Sequence, residues 1–220
     1  MKITFNYNQS VPTELIPEYT DTSLRFTDDA ILDRQGLNVM MEWERPLMKE
    51  AASVVCSKGG DVLNIGFGMG IIDTYIESYN PRTHWIIETH PDIQRKMIEG
   101  GWLKKPHVRC IFKPWQEVLH FLPKFDGIYF DTWDEPQKEF DEYVHNLLNE
   151  NGIFSFFNNP AQSSRYNNEP NFYMAEHHSD ILLQNFNISY THMDIPFVPE
   201  GLHYWKPEVN KYHTPICIRK

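Results

Sequence analysis

The sequence has few cysteines, a deficit of basic residues and no long apolar run. Its three cysteines, Cys56, Cys110 and Cys217, are odd in number, far apart and without metal-ligand spacing. This usage favours a reducing compartment and predicts neither a disulfide framework nor a metal site. No apolar segment approaches the roughly 20 residues of a membrane span, and the polar N-terminus is unlike a signal peptide. We therefore expect a cytoplasmic protein without a membrane partner.

The charge balance is acidic, with 20 Lys and Arg against 30 Asp and Glu and a formal net charge of −10. Nucleic-acid binding needs a basic footprint, so this balance argues against a nucleic-acid partner. An acidic surface suits a cationic substrate, although solubility explains it equally well. The 220 residues are most naturally one domain. Monomer and homodimer both remain open.

The pattern of polar and apolar residues predicts a short arm followed by an α/β domain. Residues 1–35 are polar and predict an arm that is either a lid or a mobile tail, whereas residues 36–220 form the domain. From Gly36 to Val55 apolar residues recur at helical spacing, and Pro46 places the helix start just before itself. Strands and helices then alternate: strand 61–66, helix 69–79, strand 84–88, helix 91–100, strand 107–112, helix 115–121, strand 126–131, helix 136–149 and strand 152–157. This order predicts a mostly parallel Rossmann-like sheet with helices on both faces, completed by an antiparallel edge from strands 187–193 and 214–219.

A glycine-rich turn follows the first predicted strand of this sheet. The strand Val62–Ile65 leads into Gly66, Phe67, Gly68, Met69 and Gly70 and then into a helical pattern. Glycines let the backbone turn sharply and approach a ligand, and the following helix N-terminus adds unpaired N–H groups. The turn therefore predicts a nucleotide-like cofactor, with an ordinary glycine-rich α/β turn as the alternative.

Glu88 supports the cofactor interpretation. It ends the second predicted strand, where an acidic side chain can hydrogen-bond both hydroxyls of a ribose. The spacing G-x-G-x-G differs from the G-x-G-x-x-G of dinucleotide sites and resembles the first motif of class I S-adenosylmethionine (SAM)-dependent methyltransferases. SAM is therefore favoured over NAD.

Two carboxylates stand where an acceptor would meet the cofactor. Asp131 ends the fourth strand, although an Asp before a helix is also a common cap. Glu44 begins the first helix between Trp43 and Met48, and a carboxylate partly buried there needs a cation or hydrogen-bond donors. Nearby aromatic residues, including Trp43, Trp133 and Tyr129, can face a cation, but core packing is the commoner role.

Several separated motifs, in the right order, resemble guanidinoacetate N-methyltransferases and, more closely, the arginine δ-N-methyltransferases. The motifs shared with the first family are Trp43-Glu44-Arg45-Pro46-Leu47-Met48, Asn64-Ile65-Gly66-Phe67-Gly68-Met69-Gly70, His84-Trp85-Ile86-Ile87-Glu88 and Phe125-Asp126-Gly127-Ile128-Tyr129-Phe130-Asp131-Thr132. The closer resemblance to the second family is carried by Val39-Met40-Met41-x-Trp43-Glu44, the stretch from Leu63 to Thr74 and Gly152-Ile153-Phe154-Ser155-Phe156-Phe157-Asn158. The resemblance implies that Glu44 and Asp131 are catalytic and grip a guanidino group. It implies that Gly66–Gly70 hold the methionine part of SAM, that Glu88 holds the ribose, and that Trp115 and Gln116 lie near the adenine.

Further residues complete the expected cofactor and substrate sites. Asn64 replaces an acidic residue found in other methyltransferases, so its cofactor contact is open, and Asp131 is expected to touch the cofactor as well as the acceptor. Trp43, Met48, Thr132, Trp133 and Tyr204 complete the expected substrate site, although packing at the sheet edge is an equal alternative for Tyr204.

The resulting expectation is a SAM-dependent N-methyltransferase whose substrate is a guanidino group. The preferred acceptor is the δ-nitrogen of arginine, free or in a peptide. Guanidinoacetate is the first alternative, and a non-catalytic SAM- or NAD-binding module is the second.

Overall fold

The computed structural model describes residues 19–133, 137–158, 180–202, 204–205 and 210–220. The helices in these ranges are α1 (Arg45–Val55), α2 (Ile71–Ser78), α3 (Pro91–Glu99), α4 (Gln137–Leu147) and α5 (Asp180–Asn185). The strands are β1 (Arg25–Phe26), β2 (Ala30–Leu32), β3 (Asn38–Met41), β4 (Asp61–Ile65), β5 (Thr83–Ile87), β6 (Val108–Ile111), β7 (Phe125–Phe130), β8 (Leu148–Phe156), β9 (Phe186–Asp194) and β10 (Lys211–Arg219).

Seven strands form one sheet in the order β6-β5-β4-β7-β8-β10-β9. Strands β4 to β8 pair in parallel, and β10 runs antiparallel to both β8 and β9. The predicted α/β fold class is confirmed, with one refinement. The antiparallel strand is β10, which lies one position inside the edge, and β9 is the edge strand.

The predicted helix over residues 115–121 is wrong, because this segment forms two 3-10 turns, Trp115–Glu117 and Leu119–Phe121. Trp115 and Val118 are the buried residues of this segment, and their spacing of three residues matches the period of a 3-10 turn. By contrast, the helix start near Pro46 is confirmed, since α1 begins at Arg45 with the proline in its first turn.

A small antiparallel sheet, β1-β2-β3, precedes α1. Residues 1–18 of the predicted arm lie outside the described residues, and β1 and β2 belong to the part that is described. Strand β3 lies within the segment that the sequence pattern assigned to a helix. Its short apolar run, Val39–Met41, instead pairs with β2, because periodicity alone does not separate short apolar strands from helices.

Both faces of the large sheet are covered, as a parallel sheet requires. On β7, Ile128 and Phe130 join the core cluster that contains Phe140 of α4, whereas Tyr129 joins the cluster formed with α1 and α2. This alternation follows from the period of two along a strand. It places the two helical layers on opposite faces and leaves the carboxyl ends of the strands for a site.

None of the helices in the described ranges is both long and apolar enough to cross a membrane. Within the same ranges, no group of three or more His, Cys, Asp or Glu residues is arranged to hold a metal ion.

Candidate active site

The glycine-rich turn follows β4 at the centre of the sheet. Gly66 has φ 95°, and a Cβ added there would lie 1.9 Å from the carbonyl oxygen of Asp131. Gly70 is the left-handed N-cap of α2, with φ 70°. A side chain at Gly66 would collide with the Asp131 backbone, and a side chain at Gly70 would be strained by the positive φ. The backbones of the turn and of Asp131 therefore come into direct contact.

Glu88 braces this turn with its carboxylate. One oxygen accepts the N–H of Phe67 at 2.9 Å, and the other accepts the N–H of His90 at 2.7 Å. Burial raises the pKa of Glu88, and these backbone N–H donors act in the opposite direction. The backbone N–H groups of Thr89 and Gly68 also lower its pKa. The ribose contact predicted from the sequence stays a prediction.

Asn64 also supports the turn from beneath. Its side-chain amide donates to the Gly66 carbonyl at 2.8 Å and to both carboxylate oxygens of Asp73 at 3.0 Å. The residue is fully buried. On the other side of the turn, the Met69 N–H lies 3.2 Å from the Met40 sulfur of β3. Asn64 thus contacts the protein backbone, and its direct contact with a cofactor stays a prediction.

The two residues predicted near the adenine have different environments. Trp115 is buried and packs edge-to-face on Phe130 and Phe140, with ring centroids 6.0 and 5.3 Å away. Gln116 is exposed on the adjacent 3-10 turn. The indole therefore contributes to the core under α4. The adenine contacts of both residues stay predictions.

The predicted carboxylate pair lies at the end of β7 and the start of α1. Asp131 directly follows β7, and its backbone N–H donates to the Ile65 carbonyl at 2.9 Å. Glu44 ends a 3-10 turn, is buried, and accepts hydrogen bonds on Oε1 from the Met41 N–H and the Tyr204 hydroxyl, both at 2.9 Å. Within the described residues, no group donates a hydrogen bond to the Asp131 carboxylate.

The carboxyl groups of the pair have pKa values raised into the neutral range. Burial, followed by the nearby Asp131 carboxylate, raises the pKa of Glu44 to about 8. Burial raises the pKa of Asp131 to about 7. Two carboxylates that repel each other in a desolvated site favour either a shared proton or a bound cation.

Aromatic rings enclose one side of this carboxylate pair. The Trp43 ring lies 6.5 Å from the Tyr204 ring and 5.1 Å from the Trp205 ring, and the Phe157 ring lies 6.1 Å from the Tyr212 ring. The Trp43 indole N–H donates to the Tyr204 hydroxyl at 3.1 Å, and that hydroxyl donates to Glu44. We call Trp43, Phe157, Tyr204, Trp205 and Tyr212 the aromatic wall.

Several predicted substrate residues come together around this wall. Trp43, Glu44 and Tyr204 are linked by hydrogen bonds, and Met48 is buried with its sulfur 3.8 Å from the Tyr129 hydroxyl. Burial raises the pKa of Tyr129, and both Asp131 and Glu44 add to this effect. The hydroxyl therefore lies near the pair.

Thr132 and Trp133 continue from Asp131 in another direction. The buried Thr132 hydroxyl has no hydrogen-bond partner among the described residues. The Trp133 ring lies 6.5 Å from the Tyr19 ring, which in turn contacts His90 at 4.6 Å. Trp133 therefore faces the N-terminal segment, and the substrate roles of both residues stay predictions.

Sequence reasoning missed part of this site. Asn158 follows β8, and no individual role in the site was predicted for it. It is fully buried, its backbone N–H donates to the Tyr212 hydroxyl at 2.9 Å, and its amide donates to the His213 carbonyl at 2.8 Å. The neighbouring Phe157 N–H bonds to the Phe130 carbonyl at 3.1 Å, beside Asp131. The signal that could have identified Asn158 is its position directly after β8, because β8 is the neighbour of β7, the strand that ends at Asp131.

The segment from Tyr19 to Leu24 crosses the end of β5. His90 accepts the Asp92 N–H on Nδ1, so its Nε2 donates to the Thr22 carbonyl at 2.9 Å. The Leu24 N–H donates to Asp92 at 2.8 Å. These bonds hold the described end of the N-terminal segment close to Glu88.

The strand order and the site at the carboxyl ends define a class I methyltransferase fold. Precorrin-6y C5,15-methyltransferase from Geobacter metallireducens shares this fold, with a TM-score of 0.56 and 13% identity over 80% of this chain and 87% of that one. The M. jannaschii protein TYW2, solved in complex with AdoMet, has a TM-score of 0.55 and 15% identity, covering 93% and 88% of the two chains.

The particular family follows from sequence. The model of the family described as guanidinoacetate N-methyltransferase matches residues 13–219. Protein arginine N-methyltransferase 2 of Candida glabrata is 40% identical over 209 residues, which is 89% of this chain and 50% of that protein. The chain therefore belongs to the guanidinoacetate N-methyltransferase family, and it spans about half the length of this curated relative.

Proposed function

We propose that this protein transfers a methyl group from SAM to the δ-nitrogen of arginine, either free or in a peptide. The observation that carries the proposal is the Glu44–Asp131 pair, which is desolvated, poised to ionise and flanked by the aromatic wall. A guanidinium is planar and cationic and presents N–H donors that match carboxylate oxygens. The pair therefore offers the charge and geometry that this group requires.

The residues around the glycine-rich turn fit the proposed cofactor. The turn is closely apposed to Asp131, and the Glu88 carboxylate accepts backbone N–H groups of the turn and of the residues after β5. When bound, SAM would supply an electrophilic methyl group. Gly66–Gly70 would hold its methionine part and Glu88 its ribose, at the edge of the sheet where Asp131 lies.

Binding of the acceptor is the first task of the carboxylate pair. Glu44 is fixed by Met41 and Tyr204 through Oε1, which leaves Oε2 for the guanidinium. Asp131 can use both oxygens. The aromatic wall excludes water and can stabilise a cation through its ring faces. Holding the acceptor nitrogen in line lowers the barrier, because orientation is fixed before the reaction.

The second task is to take up a proton. A guanidinium nitrogen is a poor nucleophile because its electrons are delocalised. As the bond from this nitrogen to the methyl carbon forms, the bond from that carbon to the sulfur of SAM would break and S-adenosylhomocysteine would leave. One N–H proton must also leave so that the methylated product remains a monocation. We assign uptake of that proton to Asp131, since its carboxylate is ionised once the guanidinium is bound and the residue adjoins the glycine-rich turn.

The choice of arginine rests on the resemblance and on the name of the relatives, protein arginine N-methyltransferase 2. Guanidinoacetate is the second candidate acceptor, because the matching family model carries that name. Both present the same guanidino group to the same carboxylates. The far end of the acceptor distinguishes them.

A side-by-side assay with labelled SAM tests the proposal. The acceptors are arginine, an arginine peptide and guanidinoacetate, and fragmentation mass spectrometry locates the methyl group. Methyl on the δ-nitrogen of arginine is expected. Transfer only to guanidinoacetate would move the acceptor to the second candidate, and transfer to none would contradict guanidino methylation.

Variants assign the chemistry to the pair. Glu44→Gln and Asp131→Asn should lower kcat/KM by at least about 100-fold while SAM affinity stays within about threefold. Glu42→Gln is the matched control, since Glu42 is two residues from Glu44 but forms an ion pair with Arg45 at 2.6 Å. Equal losses in the control and in the two site variants would refute the assignment.

A further inference from the structure

A buried polar chain lies beneath the glycine-rich turn, outside the acceptor site. It runs from the Gly66 carbonyl through the Asn64 amide to Asp73, and then through His84 to Glu77. Asn64, Asp73 and His84 are all fully buried. Buried polar groups of this kind are expensive unless each one is satisfied, so the arrangement requires a physical account.

The orientation of Asn64 is fixed by its surroundings. Its Nδ2 lies within 3.0 Å of three oxygens, namely the Gly66 carbonyl and the two oxygens of Asp73. All three are acceptors, so only the amide nitrogen can face them. The Asp73 carboxylate thus determines which way the amide points, and the amide in turn fixes the Gly66 carbonyl.

Asp73 occupies an unusual position for its type. It lies in the first turn of α2, where an acidic side chain normally receives the free N–H groups of the helix start. Within the described residues, the N-terminus of α2 has no side-chain cap. Asp73 instead points under the sheet to Asn64 and His84. The Asp73 carboxylate therefore does not cap the N-terminus of α2, although its position in the first turn would allow it.

His84 anchors the carboxylate. It lies on β5 beside Val62 of β4, with Nε2 3.0 Å from Asp73 and Nδ1 3.0 Å from Glu77. Burial lowers the pKa of His84, and the carboxylates of Asp73 and Glu77 outweigh burial and raise it. Glu77 also accepts Lys105 at 2.9 Å. His84 therefore lies against the carboxylate that orients Asn64.

We propose that Asn64 is a positioning residue that fixes the Gly66 carbonyl of the cofactor-binding turn, and that Asp73 and His84 position Asn64. This inference rests on the proposed SAM site for its effect on catalysis. The geometry beneath the turn stands independently of the acceptor.

Two variants and two controls test the inference. Asn64→Ala removes the donor to Gly66, and Asp73→Asn is a milder variant that keeps the shape but removes the charge. Asn149 and Asp126 form another Asn–Asp pair, near the amino ends of β8 and β7, with 2.8 Å between Nδ2 and Oδ1. Asn149→Ala and Asp126→Asn are therefore matched controls.

The first readout is amide hydrogen exchange of residues 66–70 in the cofactor-free protein. Exchange in this turn should be about tenfold faster in both test variants than in the controls, in line with the loss of a charge-assisted hydrogen bond. Unchanged exchange in the turn, with a lower melting temperature alone, would mean that the chain is only structural and would overturn the inference. Because Asp73→Asn keeps the side-chain volume and leaves no cavity, it keeps the test available if Asn64→Ala fails to fold.

The second readout is kinetic. Both test variants should raise the KM for SAM by about tenfold, with kcat at saturating SAM and the acceptor KM within about twofold of wild type. An unchanged KM for SAM would overturn the inference. If wild-type protein does not bind SAM, the proposed function fails, and the exchange experiment still decides the role of Asn64.

Discussion

Binding of a guanidinium should expel protons from the carboxylate pair. In the free protein the pKa is about 7 for Asp131 and about 8 for Glu44. At pH 7 only about one molecule in 20 carries both negative charges when the two groups titrate in sequence with these values. A guanidinium needs both charges, so its binding shifts the remaining molecules to the ionised form.

The magnitude follows from this linkage. Acceptor affinity should increase about 20-fold from pH 7 to pH 9, and binding at pH 7 should release about 1.4 protons. Above pH 9 both groups are ionised, so affinity should level off and proton release should approach zero. The guanidinium itself stays protonated throughout this range.

Calorimetry can measure both quantities. The titrant is an N-acetylated arginine amide, which has no other titrating group, and S-adenosylhomocysteine keeps the cofactor site filled without turnover. Proton release appears as a dependence of the binding heat on the ionisation enthalpy of the buffer. A pH-independent affinity between pH 7 and pH 9, together with identical heats in all buffers, would refute the assignment of the pair as the cation site.

Three further predictions concern stability and the turn. Glu44→Gln and Asp131→Asn should each raise the melting temperature above that of wild type at pH 8 but not below pH 4. The carboxyl pKa values are higher in the folded than in the unfolded protein, so the two groups destabilise the fold as pH rises from about 4 to 8. Equal melting temperatures of variants and wild type at pH 8 would contradict this. Gly66→Ala should abolish SAM binding in calorimetry, since its Cβ would lie 1.9 Å from the Asp131 carbonyl oxygen. Gly201→Ala is the control: Gly201 also has a positive φ, 78°, but no atom lies within 4 Å of its added Cβ, so this variant shows the effect of backbone strain alone. The pKa of His84 is raised despite burial, because Asp73 and Glu77 lie against its ring. Its contribution to the free energy of unfolding should therefore be complete below pH 6.5 and lost as pH rises through the pKa of the folded protein. In urea unfolding, the free energies of His84→Gln and wild type should differ most at pH 6, and a difference that stays constant up to pH 9 would contradict this.

Much of the fold was accessible from local patterns. The buried strands were predictable because apolar runs bounded by glycine and polar residues are short and regular, as at Val62–Ile65. The position of β10 was not accessible, because an antiparallel insertion between β8 and β9 depends on pairing between distant segments. Likewise, the β1-β2-β3 sheet was missed because its strands have only two to four residues.

The candidate site was predictable from the sequence for those residues that directly follow a predicted strand. Asp131 and Glu88 each follow a strand, so strand order places them at the same edge. Tyr212 and Asn158 could not be paired in this way, since 54 positions separate them and the fold alone brings them together. The neighbours of Asn64 were equally out of reach, because a side chain turned inward from a helix start has no signature in sequence.

Strand β3 contacts both proposed ligand sites through consecutive residues. The Met40 sulfur lies 3.2 Å from the Met69 N–H of the glycine-rich turn, and the Met41 N–H donates to Glu44. Coupling of the two sites through β3 would be reciprocal, so a cofactor that tightened acceptor binding would itself be bound more tightly, to the same degree, when the acceptor is present. Both contacts belong to one short strand, four residues long.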